Sequence, residues 1–219
     1  MKRVLVTTLV ALGIGAAGGS NAQQASAVAP PPITLKPVRP GQAPTPYSKK
    51  LVDRGKMLVF SQGCNDCHTP WVFNETFGVQ APDFTRMLSG HPEGAPDPQG
   101  KLGSQDIAIF GPMFTSASMP FGVVYAKNLT PDLETGTGKW TEEQFRSVFR
   151  KGRHPDGKTI LPPMPWDMVR YLSDADLHAV FAFLQSLPPI RNAVPESKVP
   201  SPVVQMVERA NELEVPKRR

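Results

Sequence analysis

Cys64 and Cys67 are the only cysteines in the chain, and His68 follows the second directly in the run C-N-D-C-H. Two thiols two residues apart with an adjacent histidine form the attachment signal for c-type haem, in which the thiols become thioethers and the imidazole ligates iron. The spacing has a mechanical reason. Two intervening residues let one turn of chain bring both sulfurs along one porphyrin edge, and the next side chain then reaches the metal. Thiol–disulfide exchange and half of a zinc site are the rival chemistries for such a pair. The first needs a βαβ setting that a chain with 25 prolines does not offer, and the second needs further ligands that the sequence lacks.

Haem iron in electron carriers is often held by histidine on one side and methionine on the other, which raises the potential. The chain has eight methionines. Met1 falls in the leader, and Met57 precedes the attachment turn too closely to reach the opposite haem face. Met87, Met113, Met119, Met168 and Met206 remain open. Met164 is favoured, because the run Leu161-Pro162-Pro163-Met164-Pro165-Trp166 puts its thioether on a stiff extended loop just before a closing helix. His91, in Ser-Gly-His-Pro, and His154, in Arg-His-Pro-Asp-Gly, are expected to face solvent, and His178 the outer side of its helix.

Three helices must position these groups. The first is expected to begin near Ser48 and run through Gly55 into the haem motif, with Gly55 marking a close helix approach. The second opens at Thr141 with Gln144 completing a capping box, Glu142 and Glu143 in its first turn, and Arg150 and Lys151 before Gly152 at its end. Phe145, Val148 and Phe149 form its buried stripe. The last opens at Ser173, buries Leu177, Val180, Phe181 and Leu184 at helical spacing, and closes at Pro188-Pro189. Residues 69–126 are broken by Pro, Gly, Asp and Ser, with one short buried segment at 107–110. They are expected to be a long irregular loop, anchored by aromatic residues such as Trp71, Phe73, Phe77, Phe110 and Phe114, that covers part of the haem.

At 219 residues and 23.8 kDa the chain has room for one domain plus extensions. The proline density excludes long helices and a large sheet and leaves room for short helices joined by long irregular connections. With the three helices above, the domain is expected to be all-α. Lys2 and Arg3, the apolar stretch Val4 to Ala17, and small residues at Ser20-Asn21-Ala22 or Ala25-Ser26-Ala27 read as an export signal, here 1–22. A retained N-terminal anchor is the alternative. Residues 23–47 are a Pro-rich linker, 48–190 the domain, and 191–219 a C-terminal extension of Pro, Val and charge. The net charge of +5 falls to +3 without Lys2 and Arg3, too weak and dispersed to argue for nucleic acid.

The C-N-D-C-H-T-P run, the Pro-Met-Pro loop and the Asp-Leu-x-Ala-x-x-x-Phe-Leu-x-Ser-Leu-Pro helix resemble the small cytochrome c fold. More narrowly, Phe121-Gly122, Asn128-Leu129-Thr130-Pro131-Asp132 and Glu134-Thr135-Gly136-x-Gly138-x-Trp140 resemble the cytochrome c modules of periplasmic alcohol, aldehyde and gluconate dehydrogenase cytochrome subunits. The resemblance implies covalent haem c at Cys64 and Cys67, with His68 as proximal and Met164 as distal ligand. It implies an exported electron carrier rather than an enzyme, with a periplasmic dehydrogenase as donor and a terminal oxidase or another cytochrome as acceptor. Peripheral association with the membrane would suit that role. A dedicated subunit of one dehydrogenase complex, and a haem enzyme or gas sensor with an open iron site, are the alternatives. The chain departs from that family in two places. Those subunits usually carry three haems, whereas one C-x-x-C-H here implies one. Lys127 stands where small cytochromes often have a proline whose carbonyl holds the haem histidine, so a carbonyl near Lys127 is the remaining candidate for that contact.

Overall fold

A computed structural model describes residues 46–98 and 107–213 of the chain. The leader and almost all of the linker expected over 1–47 lie outside the described residues, as does the end of the C-terminal extension.

Helix α1 (Lys49–Ser61) begins where Ser48 caps it, its hydroxyl accepting from the Leu51 N–H at 3.3 Å. Helix α2 (Cys64–His68) is the single turn of the haem motif. Helix α3 (Glu142–Lys151) has the full capping box: the Thr141 N–H donates to Gln144 Oε1 at 2.8 Å and the Gln144 N–H to Thr141 Oγ1 at 3.1 Å. Gly152 ends it at φ 65°, in the left-handed region. After the short α4 (Trp166–Val169), helix α5 (Asp174–Ser186) is capped by Ser173, whose hydroxyl accepts from the Asp176 N–H at 3.0 Å. Thr141→Ala removes one arm of the α3 box and should cost ~1 kcal/mol of stability. A denaturant midpoint unchanged by that substitution would show that tertiary packing alone holds the helix start.

The core forms where α1 crosses α5. Leu58 and Val59 pack with Val180, Phe181, Phe183, Leu184 and Phe145, each no more than 7% exposed. Fully burying a side chain of this size stabilises the fold by about 1.5–3 kcal/mol. The crossing is close enough that a Cβ on Gly55 would lie 1.9 Å from the Ala179 carbonyl oxygen. At its rim, Arg54 Nη2 meets Asp176 Oδ1 at 2.8 Å, and this guanidinium holds the Asp176 carboxyl below its ordinary range.

The expectation of an all-α fold is wrong: among the described residues helix makes up 38% and strand 13%, with two small antiparallel sheets. Both lie within 69–126, the stretch expected to be irregular. Strands β1 (Trp71–Asn74) and β2 (Val79–Pro82) form a hairpin with Trp71 opposite Pro82 and Asn74 opposite Val79. Asn74 builds its turn by accepting from the Thr76 and Phe77 N–H groups, and Gly78 takes φ 66°. Strands β3 (Ile109–Phe110), β4 (Ser116–Met119) and β5 (Gly122–Tyr125) form a meander, with Ser116 opposite Tyr125 and Met119 opposite Gly122. The cause of the miss is length. Strands of two to four residues are too short to show alternation, and proline is tolerated at their ends. The segment at 107–110 is not buried either, since Ile107 is 46% and Phe110 45% exposed.

The C-terminal extension returns over the domain. Asn192 donates to the carbonyls of Ser89 (2.6 Å) and His91 (2.9 Å), and its Oδ1 accepts from the Glu93 N–H at 2.8 Å. Lys198 exchanges backbone hydrogen bonds with Val123 of β5. Helix α6 (Ser201–Leu213) is tied down by Asn211, which donates to Thr159 Oγ1 and the Ile160 carbonyl. Among the described residues, no helix is long and apolar enough to cross a membrane.

Candidate functional site

The haem motif is held from both ends. Gly63, at φ 69°, turns the chain out of α1, and α2 follows at once, placing Cys64 and Cys67 at i and i+3 on one face. Past the motif, the Thr69 hydroxyl donates to Asn65 Oδ1 at 3.0 Å and accepts from the Leu88 N–H at 3.0 Å, locking the turn to the following loop. The two cysteines are not bonded to each other. Burial pushes the Cys64 thiol up to about 11, and burial with the neighbouring Asp66 carboxylate raises Cys67 as well. Reactive redox cysteines are shifted the other way, so this pair is poorly made for thiol–disulfide exchange. Among the described residues, no group of three or more His, Cys, Asp and Glu side chains converges as a metal site.

His68 is 8% exposed, and its Nδ1 lies 2.8 Å from the Lys127 carbonyl oxygen. A carbonyl only accepts, so Nδ1 carries the proton and Nε2 keeps its lone pair for a metal. The contact at Lys127 is thus made by a lysine carbonyl where a proline carbonyl is usual. Burial, the largest influence, lowers the imidazole pKa, opposed by the bond to Lys127. The neutral form is the ligating form.

Cys64, Cys67 and His68 line a cavity of ≈ 370 Å³, and Met164 lines the same cavity. Around them stand Val59, Phe145, Val148 and Leu184 from the helices, and Phe110, Phe114, Ala117 and Val124 from the meander and its loops. The Met164 loop is anchored by Trp166, which is 4% exposed and packs on Val148 and Ile160, and is tightened by a Trp166 N–H bond to the Met164 carbonyl at 2.9 Å. None of Met57, Met87, Met113, Met119, Met168 and Met206 lines this cavity. Met87 is buried in the core, while Met168 and Met206 are exposed.

Two histidines are not where the sequence suggests. His91 is 1% exposed, with Nδ1 3.0 Å from Thr115 Oγ1 and its ring 4.9 Å from that of Tyr125, and it lies outside the cavity lining. His154 is half-buried and lines the cavity. Sequence reasoning also missed the extension's share of the wall, made by Glu196, Ser197, Val199 and Val204. A signal existed: Val203, Val204, Val207 and Asn211 recur as one helical face after Pro202 in the first turn.

These residues fit a c-type haem. Two thiols sit on one turn, a neutral imidazole and a thioether line the same space, and the wall around them is mostly apolar. No family profile matches the sequence. The chain is 28% identical, over 71% of its length, to a subunit of the nicotinate dehydrogenase of Pseudomonas putida, of which the match covers 10%. It is 45% identical over 29% of its length to the cytochrome c subunit of the quinone alcohol dehydrogenase of Gluconobacter oxydans, covering 13% of that protein. It is 27% identical over 73% of its length to the fructose dehydrogenase cytochrome subunit of Gluconobacter japonicus, covering 26% of it. The chain therefore spans about a quarter or less of these relatives. Its likeness to them agrees with what the cavity can hold: the chain resembles the cytochrome c modules of dehydrogenase cytochrome subunits.

Proposed function

We propose that the chain carries one haem c, attached through Cys64 and Cys67 and ligated by His68 and Met164, and that it passes single electrons from a periplasmic dehydrogenase to a terminal oxidase or another cytochrome. The observation that carries this reading is the meeting of those four residues on one apolar cavity, with His68 already held in its ligating tautomer. The haem supplies the one-electron iron couple. The chain does the rest. Cys64 and Cys67 anchor, the Lys127 carbonyl fixes the His68 ring, the Pro163-Met164-Pro165 loop presents a thioether, and the aromatic and aliphatic wall excludes water. A single C-x-x-C-H run supports one haem per chain. The basic start and apolar stretch of 2–17 support action outside the cytoplasmic membrane. Relatives named as subunits favour a fixed dehydrogenase partner over a freely diffusing role.

The test is chemical. Protein produced with a c-type maturation system should keep one haem per chain through acid–acetone extraction, and its reduced form should not bind carbon monoxide rapidly. Complete release of haem refutes covalent attachment, and fast stoichiometric carbon monoxide binding favours an open-site sensor or enzyme.

A further inference from the structure

The wall of the haem cavity is uncharged except at one corner. Among the described residues, the charged side chains that line it are Lys127, Lys158 and Glu196, and His154 stands beside them. All four also line an adjoining half-open pocket with Asn128, Thr135, Trp140 and Asp156, so the corner leads outward into polar surroundings. The groups converge. Glu196 reaches Lys158 Nζ at 2.9 Å and Lys127 Nζ at 3.9 Å, and the backbone N–H of His154 donates to the Lys158 carbonyl at 2.8 Å, which ties the two residues together in the turn. Lys158 has a second carboxylate, Asp156, at 3.5 Å, whereas the Lys127 ammonium, on a side chain only 35% exposed, has its acidic partner at the limit of an ion pair. A partly buried cation so loosely paired has capacity for a further anion.

Haem c is amphiphilic. Its thioether positions belong with Cys64 and Cys67, its ring with apolar side chains, and its two carboxylates with groups that can pay for their removal from water. We infer that Lys127, Lys158 and His154 seat the carboxylates of the haem, and that Glu196 of the C-terminal extension competes for the same two ammoniums. The inference rests on the haem reading above and adds which residues orient the group within the cavity. Charge–charge hydrogen bonds of this kind are the strong ones, and they tune a cofactor beside them. A cation at the haem edge favours the reduced iron, and a competing carboxylate favours the oxidised iron.

The experiment uses the matured holoprotein and the variants Lys127→Gln, Lys158→Gln, their double, Lys127→Arg and Glu196→Gln. Midpoint potential is one readout and the carboxylate region of the reduced-minus-oxidised infrared difference spectrum the other. The double variant should lower the potential by the equivalent of about tenfold in the equilibrium constant, ~59 mV for one electron, and shift the haem carboxylate bands. Lys127→Arg should preserve both, and Glu196→Gln should raise the potential. Lys158 is mostly exposed, so Lys158→Gln keeps the test usable if a change at Lys127 harms folding. Potentials that move while the carboxylate bands stay fixed would show charge acting at a distance and overturn the assignment, as would variants that change neither. Wild-type protein that matures without covalent haem defeats the haem reading itself, before any variant is compared.

Discussion

Met164→Ala in the matured protein should abolish the sulfur-to-iron charge-transfer band of the oxidised form and open the iron to carbon monoxide, while haem stays covalently attached. The expectation follows from Met164 sharing one cavity with Cys64, Cys67 and His68 on a loop anchored by the buried Trp166. Thioether ligation favours ferrous iron, so Met164→His should give a lower-potential protein that also lacks the band. The methionines outside the cavity supply the control: Met113→Leu, Met119→Leu and Met168→Leu should each keep it. A band that survives Met164→Ala and disappears in one of those three places the ligand elsewhere. Wild-type protein that never shows the band removes the methionine assignment altogether. His154, half-buried on the cavity wall, is then the side chain to examine, rather than His91, which the cavity does not reach.

Substitution at Gly55 should be among the most damaging changes away from the cavity. An added Cβ would stand 1.9 Å from the Ala179 carbonyl oxygen, 2.6 Å from its carbon and 2.8 Å from Phe183 Cβ. Two of these atoms belong to the backbone of α5, so no rotamer change relieves the clash and the helices must separate. Alanine gains about 1 kcal/mol in helix propensity over glycine, but overpacking at a tight contact costs about 1–3 kcal/mol or more. Gly55→Ala should therefore be net destabilising, and Gly55→Val more so, by an amount that is a large share of the ~5–15 kcal/mol that ordinarily holds a domain together. Guanidinium unfolding of the holoprotein measures it, and a wild-type midpoint in Gly55→Val would show that the helices can part without loss. The consequence reaches the haem site, because α1 also carries Val59 to the cavity wall and leads directly into the cysteine turn.

Short-range chemistry was legible without coordinates. C-N-D-C-H points to covalent haem because thiols and imidazole at that spacing can serve one porphyrin, a reading that needs no folding information. The caps at Ser48, Thr141 and Ser173 lie where the sequence puts them, since a cap depends only on a side chain and the amides two or three residues on. Gly55 was readable as a close approach because a helix-interior glycine carries a cost that needs a reason. Met164 lines the same cavity as Cys64, Cys67 and His68, on a loop whose stiffness is written in its prolines.

What tertiary contact alone settled was pairing across long separations. Strands of two to four residues take their register from partners and turns, so β1 to β5 left no periodic trace and the domain read as all-α. His91 looks like a loop histidine flanked by glycine and proline, yet the return of the chain through Asn192 and the ring of Tyr125 bury it. The carbonyl that holds His68 comes from Lys127, fifty-nine residues away, and a backbone carbonyl has no sequence signature at all. The corner made by Lys127, His154, Lys158 and Glu196 draws its charges from three separate stretches of chain. A local motif can specify what bonds a residue is able to make; which groups stand opposite it depends on the packing free energy of the whole domain, and that is summed over contacts no short window contains.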